Sequence, residues 1–529
     1  MHIYNNKYNN KKIINNLIKF LIFILFSIIY LPHALILNED INLLTAFEVD
    51  PGSLLQSIKN LFRAPYYNMN NSYHSSQYGW TWLSINFFLI LPVKFFFYLF
   101  DYNNEVAINY LIKIIFHFIN FISILVLFRL NQKILKYDNI FLAFSVTILY
   151  LFNTFEGLFY FLKPETTGIL FFLLSVIFLV DYNQKSKNKH FYLSFIFLIL
   201  SVLTKHLFLF NAIIFSFFLF HEFIKKNDLN FYSIESTKLI FNKFIKIIIL
   251  FLIIFFLVNP YAFFQPISFL KAQYILSTIF YSKLSYANAL LDWINIFYTT
   301  SYLLIPFVLN ILSLFIYIFL KKKKSFNFFL SLALFTSCIF TLLIVPISNK
   351  VLITVPYLVG LLPISFLQII LFLKLVMTSK NLIKKMILIT YSFLFLFIII
   401  FNNKIIVEKS KIRLNYKNSV QYKLFIYSKE NFELHEKIVV DHTAGSISKS
   451  YNKNICHYWR ACNTYDKIIS FDPDYVIFKD KIDEWSWSDN SEGKNLRQYV
   501  ENTNMVLFKT ITSEDFQNKK ILLFKKNIN

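Results

Sequence analysis

The residues best suited to chemistry are carboxylates that follow an apolar N-terminal run, in Asn38-Glu39-Asp40 and again in Phe47-Glu48-Val49-Asp50-Pro51-Gly52-Ser53. A carboxylate beside a membrane surface takes a proton from an acceptor hydroxyl, or joins a neighbouring acid in holding a divalent cation. A solvated loop would also carry acids, so their surroundings matter. After Asp50 come an amphipathic stretch through Phe62, a polar aromatic patch from Tyr66 to Tyr78, and Gly79-Trp80 at the start of another apolar run. Further along, Glu165 stands in Lys163-Pro164-Glu165, Lys205 in Thr204-Lys205-His206, and Lys350 follows Asn349. Each lysine offers an ammonium to a phosphate oxygen. The plainer alternatives are a carboxylate answering a helix dipole for Glu165 and snorkelling span ends for the lysines.

These residues need elements to hold them, and the composition says which kind. Of the 529 residues 56% are hydrophobic, with 66 Phe and 33 Tyr, more than a soluble core buries. Runs near the roughly 20 residues that a hydrocarbon core demands recur over the first 400 positions. The sequence therefore predicts an all-α polytopic membrane bundle. The net charge of +23 does not argue for nucleic acid, because the lysines lie in short segments between apolar runs. They read as cytoplasmic loops, which fixes orientation. The basic start and long apolar run to Leu37 suit an uncleaved first span.

Further spans are expected near 108–128, 140–157, 166–181, 191–204, 207–222, 244–260, 299–320, 326–346, 351–374 and 386–402, for about 11 crossings in all. Residues 80–100 are expected to lie along the outer interface or re-enter. If they crossed, Arg129, Lys133, Lys136, the 321–324 lysine run, Lys384 and Lys385 would all fall outside. The outer face then receives the first loop, 38–107, the turn before Glu165, the 261–298 loop, Lys350 and the tail. This makes two domains, 1–402 in the membrane and 403–529 as a small extracytoplasmic α/β or α+β domain of the plasma (inner) membrane. Strands are expected at 437–441, 474–478 and 519–525, with a helix at 420–431. Cys456 and Cys462 in that domain suit a disulfide better than a metal site, since no second pair of thiols accompanies them. Cys338 reads as a small core residue.

The chain resembles the GT-C superfamily of membrane glycosyltransferases, which use polyprenyl-phosphate-linked sugars. Glu48-Val49-Asp50 fits the Glu-x-Asp variant of that superfamily's first-loop acidic motif. Asp50-Pro51-Gly52-Ser53, with Tyr78-Gly79 ahead of an apolar run, is similar to loops reading Asp-Glu-Gly-Ser. Pro51 replaces the second acid, which leaves Glu48 and Glu39 as alternative partners. Glu165 matches the second acidic site, Lys205 a lysine at the outer end of a span, and Lys350 a basic residue opening a late span with prolines.

The resemblance implies transfer of a sugar from a lipid-linked donor to a lipid, glycan or protein acceptor in the cell envelope. It implies catalytic roles for Asp50, Glu48 and Glu165, and substrate binding by Lys205, Lys350 and Tyr78. Glu48 and Asp50 would also hold a divalent cation (Mg or Mn), which the chemistry permits without requiring. No glycine-rich phosphate loop accompanies them, in keeping with a lipid-linked donor rather than a nucleotide sugar. The rivals are a transporter or flippase, and a polymerase or ligase of lipid-linked glycans.

Overall fold

The computed structural model describes residues 2–36, 58, 60–62, 79–99, 105–135, 139–153, 163–227, 234–279, 286–319, 325–344, 359–377, 381–441, 454–457, 462, 464–480, 494–512 and 520–527. They divide into two compact units. The first comprises Met1–Leu31, Ser57–Asn103 and Leu111–Ile406; the second comprises Pro32–Gln56, Asn104–Tyr110 and Val407–Asn529.

The first unit is helical because a long apolar segment satisfies its backbone polar groups internally only as a helix. Its helices are α1 (His2–Tyr30), α2 (Trp80–Leu99), α3 (Glu105–Ile134), α4 (Ile140–Leu151), α5 (Glu165–Lys185), α6 (Asn188–Thr204) and α7 (Ala212–Asn227). These are followed by α8 (Ile234–Val258), α9 (Pro266–Ile279), α10 (Tyr286–Thr299), α11 (Ser301–Phe319), α12 (Phe326–Ile344), α13 (Leu361–Met377) and α14 (Asn381–Leu414). The first residues of α3, to Tyr110, and the last of α14, from Val407, are counted in the second unit. Among the described residues seven helices have the length and apolarity to cross a membrane, or eight if the pair in α10 and α11, bent by 85°, is one span. About 11 crossings were expected. Three helices in the expected positions, α4, α6 and α13, are apolar but only 10–17 residues long.

Residues 80–100 were expected to lie along the outer interface or re-enter; of these, 80–99 form in α2 a continuous 20-residue helix with Pro92 inside it. Its length and composition suit a crossing, against which stand the charge rule and the presence of Pro92 and Lys94 within it. In α8 and α14 only 6% of the most apolar stretch is buried within the protein, as expected of helices that face lipid. By contrast α5 is 83% buried. It is the central helix of the bundle, and two of its acids, Glu165 at the start and Asp181 near the end, are held inside protein.

The second unit carries a five-stranded mixed sheet in the order β2-β1-β3-β5-β4, from β1 (Ile438–Val440), β2 (Ile455–His457), β3 (Tyr475–Lys479), β4 (Met505–Thr512) and β5 (Lys520–Lys526). β1 pairs in parallel with β2 and β3, while β5 is antiparallel to β3 and β4. The three helices are α15 (Val420–Asn431), α16 (Tyr465–Phe471) and α17 (Lys494–Asn502). Successive strand residues point to opposite faces, and both faces are covered. Ile438, Val440, Tyr475 and Ile477 pack with Val420 and Leu424 of α15. Val439, Val476 and Phe478 pack with Ile468 of α16 and Leu496 of α17. Ser419 caps α15 by accepting from the Tyr422 N–H at 3.2 Å. Within this unit the His33 ring Nε2 also meets Ser410 Oγ at 3.0 Å.

Candidate functional site

Pro164 precedes α5 with φ −70°, and Glu165 is the helix's first residue. Proline suits a helix start because no intrahelical partner exists there for an N–H. The bare N–H groups of the first turn favour a carboxylate, which explains an acid at this position. They do not explain its burial, for Glu165 is only 2% exposed.

The partner comes from the other arm of a hairpin. α5 and α6 are joined by a short turn, so the start of α5 returns to the end of α6. There Lys205 leaves the helix in extended conformation, with its N–H still bonded to Ser201 O. Its Nζ donates to Glu165 Oε1, and Lys205 is itself 8% exposed. One turn inward, Ser201 Oγ donates to Gly168 O at 2.7 Å and fixes the register of the two arms. Gly168 is required by packing, since a Cβ there would lie 2.4 Å from the Phe208 ring.

Two more elements meet this end. Gly79 has φ +81°, and a Cβ on it would lie 1.7 Å from Thr204 O, next to Lys205. Glycine is therefore the residue that lets the start of α2 rest on the end of α6. Five residues on, Ser84 Oγ donates to Val258 O at 2.7 Å, tying α2 to the end of α8. The Trp80 ring packs edge-on against Phe255 of α8. The starts of α2 and α5 and the ends of α6 and α8 thus converge.

The polar chemistry of this end is incomplete among the described residues. Glu165 Oε2, Thr167 Oγ1, Trp82 Nε1 and both amide atoms of Asn259 are buried without a hydrogen-bond partner there. Lys163 adds a second positive charge near the carboxylate. The arrangement is one carboxylate with an oxygen held by Lys205, the other open to a donor, and an excess of positive charge around it. Such a group orients a hydroxyl or receives its proton, and the lysines favour an anion alongside.

Of the residues singled out in the sequence, the structure brings Glu165 and Lys205 together. Their expected roles were separate, one an acid and the other a phosphate ligand; here each neutralises the other. Glu39, Glu48, Asp50, Tyr78 and Lys350 lie outside the described residues. Cys456, in β2, and Cys462 are joined by a disulfide with Cα atoms 5.8 Å apart, and Cys338 is a buried free thiol. Among the described residues no three His, Cys, Asp or Glu side chains gather as a metal site.

Two features escaped the sequence reading. Lys133 Nζ meets Asp181 Oδ2 at 2.5 Å, with Lys185 Nζ 3.8 Å from the other oxygen. Asp181 lies sixteen residues from Glu165 in α5, about 24 Å along the axis, so this pair belongs to the opposite end of the bundle. An acid inside an apolar run is the signal for it in the sequence, masked because position 181 also suits the end of a span. The second is a polar stripe on α3, in which Lys113, His117, Asn120 and Ser123 are all at most 3% exposed.

Long apolar helices mark the chain as a helical membrane protein, and it carries a small C-terminal sheet. No protein-family model matches the chain, and no curated protein matches it.

Proposed function

We propose that the chain is a membrane glycosyltransferase of GT-C type that moves a sugar from a polyprenyl-phosphate-linked donor to a lipid, glycan or protein acceptor at the outer face of the plasma membrane. The observation that carries this reading is Glu165, buried where four helix ends meet, with one oxygen held by Lys205 and the other open among the described residues. It has the chemistry of a group that orients an acceptor beside an anionic leaving group.

In the proposed step an acceptor hydroxyl attacks the anomeric carbon. The bond from that carbon to the phosphate oxygen breaks, and the electron pair leaves with the polyprenyl phosphate. The hydroxyl proton passes to a carboxylate, for which Asp50, paired with Glu48, is the first candidate and Glu165 the second. Lys205 and Lys350 stabilise the charge developing on the phosphate, and Tyr78 contacts substrate. A divalent cation held by Glu48 and Asp50 would supply further charge stabilisation when bound. The eleven-span arrangement, with 80–100 interfacial and 403–529 outside, rests on the lysine distribution.

Membranes containing the chain, given a panel of labelled polyprenyl-phosphate sugars, should release polyprenyl phosphate and a glycosylated product. Asp50→Asn should abolish both without loss of membrane-inserted protein; near-normal turnover removes Asp50 from the mechanism. Reporter fusions at Lys136 and Lys323 should read cytoplasm and one at Tyr465 the outer compartment, and the reverse pattern rejects the topology. The second reading, a transporter of lipid-linked glycans, draws on the buried Lys113 and His117 of α3, because ionisable groups within a membrane often line a path. Movement of donor without cleavage would favour it.

A further inference from the structure

Lys113, His117, Asn120 and Ser123 recur every three or four residues and so share one face of α3. Ile114 and Phe118, on the opposite face, are 47% and 61% exposed, as suits a lipid-facing surface. The polar face turns inward. The Phe26 ring of α1 lies 6.4 Å from the His117 ring, centroid to centroid. The Tyr150 side chain of α4 lies beside Ser123, and the Tyr150 ring meets Phe366 of α13 edge-on at 5.2 Å. Two other helices, α1 and α4, therefore close over the stripe, and α13 packs behind α4.

Ser123 Oγ donates to Asn120 O at 2.7 Å. The Asn120 side chain has no such outlet: neither amide atom has a hydrogen-bond partner among the described residues, nor does His117 Nδ1, though Asn120 is 0% exposed and His117 3%. Three bare polar atoms in a dry interior would cost roughly 1–3 kcal/mol each, and a leucine at 120 would then serve better. A small hydrogen-bonding ligand removes that cost. Water fits, since it needs two to four polar partners, and Asn120 supplies both a donor and an acceptor within one or two turns of His117 and Ser123.

We propose that Lys113, His117, Asn120 and Ser123 line a water-filled site that runs about 15 Å along α3, roughly half the thickness of the hydrocarbon core. The ammonium of Lys113 marks its mouth, nearer the helix start. This makes α3 a hydrated helix on one side and a lipid-facing helix on the other, whichever reaction the protein performs. It also gives the His117 imidazole a route for exchanging protons with bulk solvent.

Thiol reactivity tests this, because a small cationic methanethiosulfonate reacts with the thiolate, which forms in water and not in hydrocarbon. In the full chain carrying Cys338→Ala, single changes Asn120→Cys, Ser123→Cys, Ile124→Cys, Phe118→Cys and Leu434→Cys are labelled in open membrane fragments without reductant. Ser123→Cys is nearly isosteric and guards against failure of the Asn120 variant to fold. Ile124 is a buried apolar control at 0% exposure, Phe118 a lipid-facing one, and Leu434, 69% exposed in the sheet-bearing unit, the aqueous reference. Labelling at 120 and 123 should come within about tenfold of Leu434→Cys and exceed Ile124→Cys and Phe118→Cys by more than about tenfold. Labelling at 123 as slow as at 124 overturns the proposal. Equal and rapid labelling at 118, 123 and 124 overturns it too, since the reagent would then be reaching hydrocarbon.

Discussion

Lys205 Nζ donates to Glu165 Oε1 across the open end of the α5/α6 hairpin, and both side chains are more than nine-tenths buried. Removing one partner leaves the other charge buried without this ion pair. Glu165→Gln or Lys205→Met alone should each destabilise the folded protein by about 3–5 kcal/mol, whereas changing both to apolar residues should recover most of the loss. Thermal unfolding in detergent, run as a double-mutant cycle, gives the coupling. Single-variant losses under about 1 kcal/mol, the range of an exposed pair, would contradict the burial.

The two glycines near this site should fail in different ways. Gly79→Ala puts a methyl group 1.7 Å from the Thr204 carbonyl oxygen and also forces alanine to φ +81°. Because the obstacle is backbone, no side-chain change at 204 relieves it. Gly168→Ala meets the Phe208 ring instead. Trimming that ring with Phe208→Ala should restore folded protein to Gly168→Ala and do nothing for Gly79→Ala. Membrane-inserted yield and melting temperature of the four variants check this, and rescue of both glycine variants would show that the Gly79 contact is misplaced.

The helix at 420–431 and the strand cores at 438–440, 475–478 and 520–525 were legible because each has a local cause: a Ser419 cap, or a short apolar run between turn residues. β2 and β4 were not. β2 has three residues, too few to establish a period, and β4 is an edge strand in which only Met505 and Ile511 are buried, so alternation does not show. Glu165 and Lys205 could be chosen by type and position, yet their pairing spans 40 residues and depends on how the hairpin closes. The same holds for Lys133 and Asp181, 48 apart. Such contacts belong to helix packing, which a local pattern does not encode.

Cys456 and Cys462, six positions apart, join the middle of β2 to the segment that precedes α16. Closing so short a loop restricts the unfolded chain modestly, worth about 2 kcal/mol on loop entropy. Non-reduced peptide mapping of protein isolated without reductant should recover the linked pair, and reductant should lower the melting temperature of the sheet-bearing unit. Two free thiols in such material would reject the pairing.

Tyr475 donates its hydroxyl to Glu436 Oε1 at 3.0 Å, with its ring between those of Phe432 and Phe508, at centroid distances of 5.0 and 5.6 Å. Burial first, then the hydrogen bond and charge of Glu436, raise its pKa well above the usual tyrosine value near 10. Tyr499 is pushed up to about 12 by burial, with Asp472 and Tyr465 adding to it. Both shifts favour the neutral phenol in the folded state. Below pH 10 the folded and unfolded chains both keep these protons, so the two groups give stability no slope. Above it the unfolded chain releases them while the folded chain retains them, and stability falls as pH rises. The loss from Tyr499 should be complete by about pH 12, while that from Tyr475 continues further. The full chain should therefore hold its sheet-bearing unit to about pH 10 and lose it steeply beyond. Tyr475→Phe removes one such proton and should flatten the slope between pH 10 and 12, at the cost of the Glu436 bond at neutral pH. Near-ultraviolet circular dichroism with denaturant at each pH reads the stability, and tyrosinate absorbance reads the ionisation. If Tyr475→Phe leaves the alkaline slope unchanged while tyrosinate appears near pH 10 in the folded chain, Tyr475 does not hold its proton as this geometry requires.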